Sequence, residues 1–285
     1  MKKNNIYIIA EAGINHNGEL DLAKEMILSA SKAGANCIKF QAFTLTKLLT
    51  KNSFTADYQK ANTGLNSQWE VLKNLSFNKK DLIILYKKCA EVNIDFLCTA
   101  FDEDWLEFLV SIGMKKIKVP SGEITNHPYL SFAAKFNLPI ILSTGMSNDI
   151  EIKNAINVIR NINSNAKISI LHCTSLYPAK MQTLNLLAIK SLKRKFKTEV
   201  GYSDHSLGEI ASIASIGLGA RIIEKHFTLN KKLYGPDHKA SLSSSELKSF
   251  IKNIRDIEKA MGNGIKTAHK LEFSTLLAAR KSWHA

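Results

Sequence analysis

Glu199-Val-Gly-Tyr-Ser-Asp-His-Ser-Leu-Gly-Glu-Ile-Ala-Ser-Ile-Ala-Ser-Ile-Gly-Leu-Gly-Ala-Arg-Ile-Ile-Glu-Lys-His226 decides the fold. A short strand-like run at 199–202 gives way to polar residues. A stretch at 207–218 follows whose apolar residues recur at three- and four-residue spacing, and then a β-branched run at 221–225. A short strand, an amphipathic helix and a second strand make a βα unit, in which the helix carries the chain back so that the two strands lie parallel.

The same alternation runs outward. Strand-like runs recur at 6–10, 37–41, 95–99, 116–119, 140–143 and 168–172, with helical patterns at 20–32, 79–92, 149–162 and 243–260. Asn148-Asp149 and Ser243-Ser-Ser245, the latter followed by Glu246, are helix-start signals because their side chains can accept from the free N–H groups of a first turn. Eight strands in 285 residues predict an α/β chain closed as a (β/α)8 TIM barrel over residues 1–265, with a tail at 266–285. The polar, weakly periodic stretch 44–68 is long for a connection in a compact domain and is expected to be a functional loop over the barrel mouth.

Lys and Arg outnumber Asp and Glu 39 to 25, a net charge of +14 that draws anionic partners. The lysines stand singly or in short pairs, without the Arg-rich or aromatic-interleaved basic stripe of a nucleic-acid module, so no nucleic acid is expected. After Lys2 and Lys3 the apolar run 6–10 is broken by Glu11, too short for a signal peptide. No segment approaches about 18 uninterrupted apolar residues, so a soluble, cytoplasmic protein without membrane attachment is expected. Cys37, Cys89, Cys98 and Cys173 form no C-x-x-C pair and sit mostly in apolar surroundings, which reads as reduced, structural cysteines.

Active sites of such barrels form where the strands end. Those ends carry Glu11; Lys39 with Gln41; Thr99; Lys118 with Ser121 and Glu123; Ser143 with Thr144; His172 with Thr174; Ser203 with Asp204 and His205; and Glu224 with His226. A single strand lysine can snorkel to the surface. Two among apolar neighbours at the mouth call for an anion, because an uncompensated buried ammonium is costly, and with the Ser and Thr hydroxyls they describe a phosphate or carboxylate pocket. One histidine can be satisfied within a core, whereas His205 and His226 at the ends of adjacent strands can reach one divalent ion, Mn2+ ahead of Mg2+, with Glu224 nearby. The run 234–241 is either a Gly-Pro turn or, through Asp237, a holder of a substrate hydroxyl. Other readings stand: a Schiff-base lysine at Lys118 or Lys225, and a silent barrel that binds anionic sugars or nucleic acid through its positive field without turnover.

Seven stretches in order carry a resemblance that spans nearly the whole chain: Ala10-Glu-Ala-Gly-Ile-Asn-His-Asn-Gly18, Ile38-Lys-Phe-Gln41, Pro120-Ser-Gly-Glu-Ile-Thr-Asn126, Leu142-Ser-Thr-Gly-Met146, Gly201-Tyr-Ser-Asp-His205, Glu224-Lys-His-Phe-Thr228 and Gly235-Pro-Asp-His-Lys-Ala-Ser-Leu242. Together they resemble the sialic acid synthase family, including the legionaminic and pseudaminic acid synthases, which condense phosphoenolpyruvate with an N-acetylated amino sugar; a weaker resemblance, to phosphoenolpyruvate-dependent synthases that make eight- or seven-carbon acids from phosphorylated sugars, is the alternative. The resemblance implies that Lys39, Thr99, Lys118, Ser121, Ser143 and Ser203 bind phosphoenolpyruvate. It implies that His205 and His226 hold the metal beside Glu224, that Glu11, Tyr177 and Asp237 face the acceptor, and that Glu123 stands near the reacting centre.

The chain departs from the family twice. Ser175, in Cys173-Thr-Ser-Leu-Tyr-Pro178, stands where the family usually carries Asn on the acceptor side. Family members also continue into a C-terminal antifreeze-like domain that lends an Arg to the partner subunit's site; here the expectation is a tail without that domain. The resemblance implies a homodimer, much of whose contact involves that domain.

Overall fold

The computed structural model describes residues 6–280. Residues 1–5, with Lys2 and Lys3, and the last five of the expected tail lie outside them. Eight parallel strands, β1 (Tyr7–Gly13), β2 (Cys37–Ala42), β3 (Asp95–Ala100), β4 (Ile117–Val119), β5 (Ile140–Ser143), β6 (Ile168–Cys173), β7 (Glu199–Asp204) and β8 (Ile222–His226), form one sheet in the order β3-β2-β1-β8-β7-β6-β5-β4. The two ends of that order lie side by side, so the sheet rolls into a barrel with one unladdered seam between β3 and β4. At the seam β4 is only three residues long, because Pro120 has no N–H to continue a ladder.

All eight expected strands are present, and several run further toward the mouth than their apolar runs. β1 reaches Gly13, β7 reaches Asp204 and β8 reaches His226. Backbone pairing explains the extension: Glu11 stays in register with Lys39 on one side and His226 on the other, and a ladder is indifferent to side-chain polarity. This carries the polar residues onto rigid strands instead of loops.

The helices pack outside. Ile8, Ile38, Leu97, Val119, Leu142 and Ile223 from the strands join Met26, Leu82, Leu106, Leu130, Ile156 and Phe250 from the helices in one apolar cluster. Both helix starts read from the sequence form full capping boxes, Asn148 with Glu151 and Ser243 with Glu246. The helix expected at 207–218 begins later, as Ile210–Gly217, after a turn at Gly208 in the left-handed region (φ 70°).

The stretch 44–68 is not a plain loop: it contains the helices Leu45–Leu48 and Asp57–Thr63 and enters Gln68–Leu72. A small second apolar cluster of Ile14, Phe43, Val71 and Leu72 fastens its ends. Beyond Ala260, a 3-10 turn at Lys270–Glu272 and the helix Phe273–Ala279 contribute no buried residue. Among the described residues no helix is long and apolar enough to cross a membrane.

Candidate active site

A cavity of about 1080 Å³ opens at the C-terminal ends of the strands. Its lining includes Glu11, Lys39, Gln41, Thr99, Lys118, Ser121, Ser143, Cys173, Ser175, Tyr177, Ser203, His205, Glu224 and His226, so every strand delivers a polar side chain to it or just beyond its end. Period-two alternation selects them: in β8, Glu224 and His226 face the cavity while Lys225 between them faces away.

Glu224 sits at the centre of the charges. Its Oε1 accepts from Ser203 Oγ at 3.1 Å and lies 3.5 Å from Lys118 Nζ, while Oε2 is 3.9 Å from Lys39 Nζ. Lys39 Nζ also contacts Glu11 Oε2 at 2.6 Å and donates to Thr99 Oγ1 at 2.9 Å. Gln41 Nε2 donates to the other Glu11 oxygen at 3.2 Å. Both lysines are 3% exposed, buried enough for their charges to need partners.

Burial sets the titration here, and neighbouring charge decides which way each group goes. It pushes Glu11 up to about 7 despite Lys39, helped by the charge of Glu224. Burial would raise Glu224 too, but Lys118 and Lys39 outweigh it and hold that carboxyl at about 2. Lys118 is lowered by burial, while in Lys39 the same penalty is overcome by Glu11 and Glu224 and the pKa rises.

His205 and His226 have ring centroids 5.6 Å apart. The Thr174 carbonyl accepts from His205 Nδ1 at 2.9 Å, which fixes the proton on that nitrogen and leaves Nε2 free. His226 Nδ1 is buried without a partner, and burial holds that imidazole well below its usual range. In His205 burial is outweighed by the Cys173 thiol, and the pKa rises. An orphaned imidazole nitrogen beside a second imidazole oriented by a carbonyl is the donor set a divalent ion uses. Among the described residues, no group of three or more His, Cys, Asp or Glu side chains is arranged to hold a metal, so two protein ligands are the most this pair offers.

The predicted site residues do not all converge. Glu123 is absent from the lining: it ends the 3-10 turn Ser121–Glu123, where its carboxylate accepts from Asn126 Nδ2 at 2.7 Å. Asp237 lies behind the lining, buried with Oδ1 unpartnered, its carboxyl pushed up to about 6 by burial against the opposing pull of His205. His172 faces outward, stacked on Tyr202 and bonded to the Leu184 carbonyl. Asp204 also faces outward and pairs with Lys225 at 2.8 Å, which removes Lys225 as a Schiff-base candidate. Cys37, Cys89 and Cys98 are core residues and all four cysteines are free, but Cys173 lines the cavity, 3.8 Å from His205 Nδ1. Its register opposite Ser203 gives it the inward side of β6.

Sequence reasoning missed Tyr58, Asp57 and Gln68, which bring the 44–68 stretch into the lining, and Gly145. A Cβ on Gly145 would stand 2.1 Å from Ser175 Oγ and 2.8 Å from Ser121 Oγ, so only glycine lets the β5 loop pass these hydroxyls. There its N–H donates to Ser121 Oγ at 2.9 Å.

Residues 26–266 match the model of the NeuB family. The chain is 49% identical to the N,N'-diacetyllegionaminic acid synthase of Campylobacter jejuni over 280 residues, covering 96% of this chain and 83% of that protein. It is 44% identical to the enzyme of the same name from Legionella pneumophila, covering 97% and 79%. In structure it superposes on the N-acetylneuraminic acid synthetase of Leptospira borgpetersenii, crystallised with citrate, with a TM-score of 0.87 at 34% identity, covering 99% of this chain and 94% of that one.

Proposed function

Because the chain belongs to the NeuB family, we propose that it is a nonulosonic acid synthase, a C–C bond-forming transferase that joins phosphoenolpyruvate to an N-acetylated amino-sugar aldehyde. The acceptor is N-acetylmannosamine or a diacetamido-trideoxyhexose, the latter favoured by identity to legionaminic acid synthases. One observation carries the reading: two buried lysines, Lys39 and Lys118, share a cavity at the strand ends with hydroxyls, and Ser143 Oγ there is buried and unpartnered. Such a cavity holds a small polyanion.

In this reading Lys39, Thr99, Lys118, Ser121, Ser143 and Ser203 bind phosphoenolpyruvate, the lysines exchanging part of their glutamate contacts for phosphate and carboxylate. Glu11, Ser175 and Tyr177 hold the acceptor; Asp237, off the lining, is the poorer candidate. The methylene carbon of phosphoenolpyruvate attacks the acceptor aldehyde carbon and forms the new C–C bond. Water adds at the carbon bearing the phosphate oxygen, and that carbon then releases inorganic phosphate. One water is consumed and one phosphate leaves. Lys39 and Lys118 stabilise the departing charge. Glu11, with its pKa near neutrality, takes and returns the proton; Glu123, off the cavity, is the poorer candidate. A divalent ion held by His205 and His226, with Glu224 nearby and Mn2+ ahead of Mg2+, supplies Lewis-acid polarisation of the aldehyde when bound.

We place the enzyme in the cytoplasm as a homodimer, with the barrel over 1–265 as the synthase unit. The free cysteines are in keeping with a reducing compartment. Phosphate release from phosphoenolpyruvate, assayed with N-acetylmannosamine and diacetamido sugars in Mn2+ and in EDTA, tests the reading. Acceptor-dependent release that EDTA stops is expected; a folded protein that binds phosphoenolpyruvate but releases no phosphate with any of these sugars would falsify it in favour of a silent barrel.

A further inference from the structure

Two tyrosines stand over the cavity without belonging to a core. Tyr58, from the short helix Asp57–Thr63, stacks on Tyr177 at 4.9 Å, and Tyr177 stacks on His205 at 4.1 Å and meets His226 edge-on at 5.8 Å. Neither tyrosine is part of the two apolar clusters that hold the molecule together. An aromatic ring of this size normally pays its way by burial in a core; here both rings form one wall of the cavity instead, running from the histidines up to the mouth.

The helix under Tyr58 is held by polar ties to the loop after β8. Asn62 Nδ2 donates to the Pro236 carbonyl at 2.6 Å, and Tyr234 Oη donates to the Thr63 carbonyl at 2.8 Å. The only fully buried residue of that helix is Gln59, so the segment is fixed by these ties and by the ring stack. At the strand ends the same cavity is lined by the buried Lys39 and Lys118. Leu176 and Met146 add apolar side chains to the lining, and the charged lining residues Asp57 and Lys180 are exposed and of opposite sign. The cavity thus combines charged lysine–glutamate groups at the strand ends, which suit the anionic donor, with an aromatic wall that suits a neutral group with apolar faces.

We infer that Tyr58 is a specificity-determining residue that packs its ring against the acceptor, favouring an uncharged sugar that presents C–H faces and N-acyl methyl groups. The inference deepens the proposed function and rests on it. The ring does this, not the hydroxyl, because stacking on Tyr177 presents the face of the phenol as wall.

The test measures steady-state phosphate release with N-acetylmannosamine and diacetamido sugars and, separately, equilibrium binding of the same sugars in the absence of phosphoenolpyruvate, for the wild type, Tyr58→Phe and Tyr58→Ala. Tyr58→Ala is expected to raise the acceptor KM and Kd by about tenfold while the phosphoenolpyruvate KM and the melting temperature stay near wild type; Tyr58→Phe is expected to stay within about twofold of wild type. A Tyr58→Ala enzyme that turns over with unchanged acceptor KM, or whose two KM values rise together, overturns the inference and leaves the function standing. A wild type that releases no phosphate with N-acetylmannosamine or any diacetamido sugar, yet whose sugar binding weakens in Tyr58→Ala, overturns the function and supports the inference.

Discussion

Two buried lysine–carboxylate groups lie back to back across the wall of β7 and β8. Outside the barrel, Lys225 Nζ contacts Asp204 Oδ2 at 2.8 Å and donates to the Ser206 carbonyl at 2.6 Å, while Asp204 also accepts from Ser206 and Ser212. Inside, Lys39 pairs with Glu11 and, like Lys118, lies near Glu224, while Glu224 Oε2, Ser143 Oγ and His226 Nδ1 lack hydrogen-bond partners. The same residue types, one position apart along a strand, do opposite jobs. A buried polar group that is fully satisfied fixes structure, and a cluster left under-satisfied is shaped for a ligand.

Substitutions can break this comparison. Lys225→Met strands the buried Asp204 carboxylate and is expected to cost about 3–5 kcal/mol of stability, read as a large drop in melting temperature. Lys39→Met should lose about 100- to 1000-fold in turnover with a smaller loss of stability, because Glu11 titrates near 7 and can take a proton when its partner goes. Equal unfolding of the two variants would end the distinction. His226→Ala is expected to abolish the response of phosphate release to Mn2+ and EDTA while equilibrium binding of phosphoenolpyruvate persists; loss of that binding too would make His226 part of the anion site.

A smaller effect sharpens the inner cluster. The pKa of Glu11 is raised to about 7 from an ordinary 4.5, so its proton is present below that value and lost above it. Ionised Glu11 competes for Lys39, and an anion that takes Lys39 raises Glu11 further. Donor binding should therefore take up a proton and weaken as pH rises from 6 to 8, by at most about tenfold per unit. Calorimetry in two buffers of different ionisation enthalpy measures the uptake, and Glu11→Gln should remove that part of the slope. The smallest effect belongs to Glu123→Gln, expected to stay within about threefold of wild-type turnover; a hundredfold loss would move Glu123 back into the chemistry.

Much of this site was legible in the chain. The lysines, His205, His226, Glu224 and the serines stood at strand ends that period and polarity identify. Cys173, Asp204 and His172 were assigned to the wrong side of the wall, because a strand end read only as polar does not say which of two neighbours points inward. Tyr58 and Gly145 were invisible for another reason: their meaning lies in contacts with Tyr177 and with Ser175 and Ser121, across separations no local pattern encodes.

The sequence by itself determined the βα alternation, the eight strands and the chemistry gathered at their ends, because each follows from local periodicity and residue type. Only the tertiary structure decided which face each polar side chain takes, which lysine is satisfied and which is left for a ligand, and what roofs the cavity. Those outcomes depend on ladder register and on burial, and both exist only once distant strands are side by side.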